Sequence, residues 1–306
     1  MHPGADAQQT RRRFPLVLVV VLVVLGAIGA WWLVDSIRRE SRAPVAIDPP
    51  TGASTGLGTE WFRANVPGSG KTKLGLLRAD DPDAPTVVIF TSTNGLDRGT
   101  EAFAARLRDR GVNAVVACWF ASMGVLDQIE CRDGPEMRWV TDDVVPLADS
   151  IVDSARQIDG IDGDKFAVAG MSRGGGVAVL RSLEGRLEPA ISVNGLLGGS
   201  DNFIGMADES RDKPAEIVLA ERADGFHGAL MLVWAENDDF VPPELNELPL
   251  IEAIRAEHPD ADGLRLRSRP FGGHGGLQNP DPVSGELLPN WTADQIVAFV
   301  RDHFPE

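Results

Sequence analysis

The chain has 306 residues, 43% hydrophobic and 24% charged, with a formal net charge of −16. That composition supplies one large core, and the acidic balance excludes a nucleic-acid binder, which needs a basic face. Two cysteines, Cys118 and Cys131, are too few for a disulfide scaffold and lack zinc-ligand spacing, and the absence of tyrosine removes that side chain as acid, base or oxyanion donor.

Residues 1–13 form a short polar tail ending in Arg11-Arg12-Arg13. Phe14 to Val34 then runs without a charge, FPLVLVVVLVVLGAIGAWWLV. At 1.5 Å per residue this run matches a hydrocarbon layer about 30 Å thick. It lacks the polar stripe of a soluble helix, and Trp31 and Trp32 suit the headgroup boundary. It is longer than the apolar stretch of about 7–15 residues in a signal peptide, so an uncleaved transmembrane anchor is expected rather than cleavage near Ala27-Ile28-Gly29. Arg38, Arg39 and Arg42 follow the run, which nearly balances the positive-inside count. The arginines abutting its N-terminal side favour a single-pass protein with its large domain extracytoplasmic. Residues 35–58 are rich in Pro, Gly, Ser and Thr without apolar period, the pattern of a flexible linker, which leaves 59–306 as the globular domain.

Within that domain, strand and helix patterns alternate. Thr59–Val66 and Lys73–Arg78 read as an opening strand pair, and Thr86–Thr91 (TVVIFT) as a strand buried on both faces. Thr100–Arg110 reads as a helix with Phe103 and Leu107 on one face and Gly111 as its stop. Asn113–Phe120 is the next strand, and Pro146–Ile158 a helix with Leu147, Ile151, Ala155 and Ile158 in phase. Phe166–Ala169 is a strand leading through an abrupt turn into a helix that begins in a glycine run. Ala190–Asn194, Ala229–Trp234 and Leu264–Arg269 are further strands. Thr292 with Gln295 reads as a capping box opening the last helix, whose buried face is Ile296, Phe299 and Val300. This alternation predicts a mostly parallel sheet covered by helices on both faces.

The turn after Phe166–Ala169 is Gly170-Met171-Ser172-Arg173-Gly174. A serine on a sharp strand-to-helix turn needs neighbours without side chains two residues away, and its Oγ then sits at a helix N-terminus that favours negative charge. Such a serine needs a base to take its proton, usually a histidine oriented by a carboxylate. Of five histidines, His2 precedes the apolar run, His258 and His303 lie in helical surface patterns, and His227 precedes a strand. His274, in Phe271-Gly-Gly-His-Gly-Gly276 shortly after a strand, has the bare loop such a base requires. Asp238 and Asp239, just past the strand ending at Trp234, are both candidates for the acid, on the edge where α/β sheets build their sites.

Four segments in order, Thr91-Ser-Thr-Asn-Gly95, GMSRG at 170–174, AENDDFVP at 235–242 and GGHGG at 272–276, give residues 60–306 a resemblance to the α/β-hydrolase superfamily. Its dienelactone hydrolase-like branch is the most similar. The resemblance selects Asp238 over Asp239, although Ala235 stands where glycine is usual. It implies a Ser172–His274–Asp238 triad and an oxyanion hole of two backbone N–H groups, one from Arg173 and one from the 92–95 loop, with Thr93 the best-aligned residue and Asn94 the alternative. Ser172 replaces the cysteine nucleophile of dienelactone hydrolases proper, which points to a general carboxylic ester, small or lipid-like. The expected activity is therefore that of a membrane-anchored serine esterase without cofactor or metal. A non-catalytic binding domain of the same fold is one alternative, and an acyltransferase or peptidase using the same triad is another. Gly195–Phe226 is the candidate cap, with Phe203, Ile204 and Met206 as candidate pocket residues. Cys118–Arg132, carrying Trp119, Phe120 and Met123, is a second candidate wall, and a Cys118–Cys131 bridge there is left open.

Overall fold

Residues whose side chains alternate between two apolar layers build the centre of the molecule. A computed structural model describes residues 44–305, apart from 55, 67–69, 94, 118, 120–139, 200–216 and 281–284. The expected anchor at 14–34, both cysteines, and Phe203, Ile204 and Met206 therefore lie outside the described residues. Among the described residues, no helix is long and apolar enough to cross a membrane. Ala43–Glu306 forms one compact unit.

Among the described residues, nine strands make one sheet: β1 (Val45–Ile47), β2 (Glu60–Val66), β3 (Gly70–Leu77), β4 (Thr86–Phe90), β5 (Asn113–Ala117), β6 (Phe166–Met171), β7 (Ala190–Val193), β8 (Leu230–Ala235) and β9 (Leu264–Arg269). Their spatial order is β1-β2-β3-β5-β4-β6-β7-β8-β9. Pairings from β1 to β5 across β2 and β3 are antiparallel, and those from β5 through β9 are parallel. Strand β4 lies between β5 and β6, so the chain leaves β4 in one direction and later returns across it in the other. That reversal is the switch point at which open α/β sheets leave a crevice beyond the strand C-termini.

Along the central strands, Val88, Phe90, Phe166 and Val168 face one layer, while Val87, Ile89, Ala167 and Ala169 face the other. The helices α2 (Val144–Ala155), α3 (Arg173–Leu183) and α4 (Glu247–Glu257) cover the first layer with Ile151, Leu180 and Ile254. The helices α1 (Arg98–Arg108) and α6 (Leu287–His303) cover the second with Phe103, Leu107, Ile296 and Phe299; between them in sequence comes the single turn α5 (Gly273–Gly276). Each such fully buried side chain is worth about 1.5–3 kcal/mol.

Three local expectations change. The segment 44–58 is not a free linker throughout: Val45–Ile47 pairs with Trp61–Arg63, and Ala53 and Leu57 pack on the second layer. Glu101, a buried carboxylate on α1 that needs donors, takes the Ser54 N–H at 2.8 Å and so ties this segment to the domain; it also takes the Thr59 hydroxyl at 2.5 Å. Helix α1 also starts earlier than expected, because Asp97 caps it by accepting from the Thr100 N–H at 2.6 Å. At the other end of the chain, Thr292 caps nothing. Helix α6 begins at Leu287, Thr292 lies inside it donating to the Leu288 carbonyl at 3.0 Å, and Gln295 accepts from Arg267. A buried hydroxyl within a helix bonds back one turn in this way.

Behind α3, charges pair densely. Arg181 of α3 is buried and donates to Asp149 on α2 at 2.7 Å and to Glu188 at 3.0 Å. Arg156 bonds the same Glu188, and Arg186 bonds Asp149. Burial alone would raise the Glu188 pKa, but Arg181 and Arg156 outweigh it and bring it down from 4.5 to about 2. A carboxylate held low in the folded state adds stability above its ordinary pKa and loses it as pH falls through the folded value. Glu188→Gln is therefore expected to cost about 2 kcal/mol near neutrality. Urea unfolding at a series of pH values should show the gap to wild type closing between 4.5 and about 2; a gap independent of pH would contradict the assignment.

Candidate active site

The GMSRG segment folds as the sequence demands. Ser172 has φ 54° and ψ −119°, a backbone conformation that side-chain-bearing residues seldom adopt, and it ends β6 and opens α3. The two glycines make this possible: a Cβ on Gly170 would lie 1.9 Å from the Gly174 carbonyl oxygen, and one on Gly174 would lie 2.2 Å from the Phe90 carbonyl oxygen. The turn places Ser172 over the C-terminal ends of β4 and β6, at the switch point. Its backbone is held from both sides, the N–H donating to Val193 O and the carbonyl accepting from the Leu196 N–H, each at 3.0 Å.

His274 sits in α5 at the C-terminal end of β9, and Asp238 in the turn after β8. The three residues meet although they come from three segments. His274 Nε2 lies 2.9 Å from Ser172 Oγ, and His274 Nδ1 lies 2.8 Å from Asp238 Oδ2. Ser172 and Asp238 are buried, and the His274 side chain is 22% exposed, enough for a substrate to reach it. The other Asp238 oxygen, Oδ1, accepts from the N–H groups of Phe240 at 3.0 Å and Val241 at 2.9 Å. Three bonds, two to Oδ1 and one to Oδ2, hold the Asp238 carboxyl group facing the imidazole. Asp239 is exposed.

Arg173 and Thr93, the two residues expected to supply oxyanion donors, are also brought together. Arg173 is the first residue of α3, so helix geometry gives its N–H no intrahelical acceptor. Its buried guanidinium donates from Nη1 to Thr93 Oγ1 at 3.2 Å, joining the two segments that carry the candidate N–H groups. Asn94 lies outside the described residues. Trp119 is buried and donates its indole N–H to the Thr91 carbonyl at 2.7 Å, which braces the base of the 92–95 loop. The remaining histidines of the domain lie elsewhere. His227 precedes β8 at the opposite sheet edge with its ring 5.9 Å from that of His258, and His303 bonds within α6.

Three residues not singled out from sequence join the site. Asn237 accepts the Gly273 N–H at 3.0 Å and so ties the acid turn to the histidine turn. Phe240, half exposed, stacks its ring on His274 with centroids 6.1 Å apart and planes 30° off parallel. Glu247, at the start of α4, is buried with neither carboxyl oxygen hydrogen-bonded among the described residues. Burial pushes its pKa well above the ordinary carboxylate range, and the charge of Asp238 adds to the effect. The sequence signal for Phe240 was available in AENDDFVP. Glu247 gave none, because a glutamate opening a helix normally faces solvent.

No family model and no curated protein matches the chain. Solved structures do. A putative dienelactone hydrolase from Klebsiella pneumoniae is similar at 16% identity with a TM-score of 0.59, covering 79% of this chain and 98% of the other. An esterase from Pyrococcus furiosus is similar at 17% identity and a TM-score of 0.59, covering 84% and 99%. A puromycin-hydrolyzing peptidase from Mycobacterium tuberculosis is similar at 15% identity and a TM-score of 0.60, with 82% of this chain matching only 40% of the longer protein. The chain has the α/β-hydrolase fold, and dienelactone hydrolase-like structures are among those it resembles.

Proposed function

We propose that the chain is a serine hydrolase of carboxylic esters, anchored to a membrane by residues 14–34 with its hydrolase domain extracytoplasmic. The observation that carries the enzymatic reading is the continuous bond line from Ser172 Oγ through the His274 ring to Asp238, at 2.9 Å and 2.8 Å, on a strained turn at the sheet switch point. The anchor and its orientation rest on the uncharged run and its flanking arginines.

In this mechanism Asp238 accepts from the Nδ1–H of His274, which leaves Nε2 bare to receive the Ser172 proton. Ser172 Oγ attacks the ester carbonyl carbon as its proton moves to Nε2. The carbonyl π electrons move onto oxygen, where the N–H groups of Arg173 and Thr93 stabilise the charge, a donor of this kind being worth about 10²–10³ in rate. The oxyanion collapses, the bond to the leaving alcohol breaks, and His274 gives that alcohol its proton. Water, deprotonated by His274 in turn, releases the acid and restores Ser172. Each proton is handled by His274, so the cycle calls for no cofactor or metal. Phe240, stacked on the imidazole, and Phe271, three residues before His274, are both half exposed and suit an ester with an apolar portion.

The test is labelling of the full chain with a fluorophosphonate, which reports an activated serine without knowledge of the substrate. Labelling is expected in the wild type and is lost in Ser172→Ala and His274→Ala. A folded wild-type protein that stays unlabelled would turn the reading toward a non-catalytic binding domain.

A further inference from the structure

We propose that Asn194 is a positioning residue whose single carboxamide holds the nucleophile, base and acid segments in register; the proposal rests on the esterase reading. Asn194 follows β7, the strand between the nucleophile strand β6 and the acid-bearing strand β8. It is buried, and with φ 46° it is, besides Ser172, the one non-glycine among the described residues with positive φ. Asparagine tolerates that region better than most side chains do, but the backbone conformation explains only half of its choice here.

The carboxamide makes three bonds to two other segments. Its Oδ1 accepts the Ala235 N–H at 2.9 Å, at the end of β8, and the Ala235 carbonyl in turn accepts the N–H of Asp238. Its Nδ2 donates to the carbonyl of His274 at 2.8 Å and of Gly273 at 3.2 Å. Its neighbours Val193 and Leu196 make the two backbone bonds that hold Ser172. One oxygen and one NH2 group thus join the turn carrying Asp238 to the turn carrying His274, from a backbone stretch already bonded to the nucleophile. No other side chain type of this size offers an acceptor and two donors in one plane. None of these bonds reaches the imidazole, so Asn194 acts through the backbone. Its loss would let the histidine turn shift against Asp238, and a displacement near 1 Å in such a constellation costs on the order of 100-fold in rate.

Two substitutions separate the carboxamide from the backbone role. Asn194→Gly keeps the left-handed conformation without strain and removes the bonds. Asn194→Asp keeps the shape but turns an oxygen toward the two carbonyls. In the full chain, Asn194→Gly is expected to react with a fluorophosphonate about 100-fold more slowly than wild type. In hydrolysis of p-nitrophenyl acetate, kcat falls with KM little changed. Asn194→Asp, whose second oxygen meets the two carbonyls, likewise slows labelling and lowers kcat with KM little changed, and serves should the glycine variant not fold. Wild-type rates in either variant, or a loss carried by KM with kcat unchanged, would overturn the proposal. A folded wild type that does not label would overturn the esterase reading, and this proposal with it.

Discussion

Asp238→Asn is expected to lower ester turnover by about 10⁴-fold while the domain remains folded. The size of the effect follows from which way the new amide must face. Oδ1 of Asp238 accepts two backbone N–H groups, from Phe240 and Val241. An asparagine there must keep its oxygen on those donors, so its NH2 group faces His274 Nδ1. The imidazole then accepts at Nδ1 and carries its proton on Nε2, the wrong tautomer for a base toward Ser172. Steady-state kinetics with p-nitrophenyl acetate beside a circular dichroism melt would measure both halves. A loss under tenfold would mean that Asp238 does not set the tautomer.

The second large effect is structural. Gly170→Ala puts a methyl group 1.9 Å from the carbonyl oxygen and 2.1 Å from the carbonyl carbon of Gly174. Both are backbone atoms, so no rotamer change relieves the overlap, and β6 must move away from α3 at the turn that presents Ser172. A loss of more than about 3 kcal/mol is expected. Gly163→Ala is the control: a Cβ there meets nothing within 4 Å, and Gly163 is not among the positive-φ glycines. Its effect should stay within about 0.5 kcal/mol. Denaturant melts of both variants decide it, and comparable melts would mean that the turn is more plastic than its contacts indicate.

The central parallel strands β4 to β8 were legible in the sequence because each is a short, largely apolar run buried on both faces, as in TVVIF of β4. The meeting of Ser172, His274 and Asp238 was legible because each sits where a strand ends, and parallel strands end on one edge. What escaped depends on partners far away in sequence. Ser54 joins the fold through Glu101, 47 residues on, so a Pro- and Gly-rich composition said linker where a buried carboxylate said otherwise. Thr292 and Gln295 have the spacing of a cap, but apolar Leu288 and its neighbours extend α6 past them to bury against the sheet. Asn194 is one letter in ISVNGLL; its role exists only once β8 and the glycine turn lie beside it.

The distance in sequence between Ser172 and His274 also orders events during synthesis. The two residues are 102 positions apart, and His274 lies in the turn between β9 and the closing helix α6. At about 5–20 residues per second, the serine precedes its base by roughly 5–20 s. On the proposed reading, Ser172 waits through that interval without the base that would deprotonate it, and the nascent chain would be silent toward esters until the turn carrying His274 has been added.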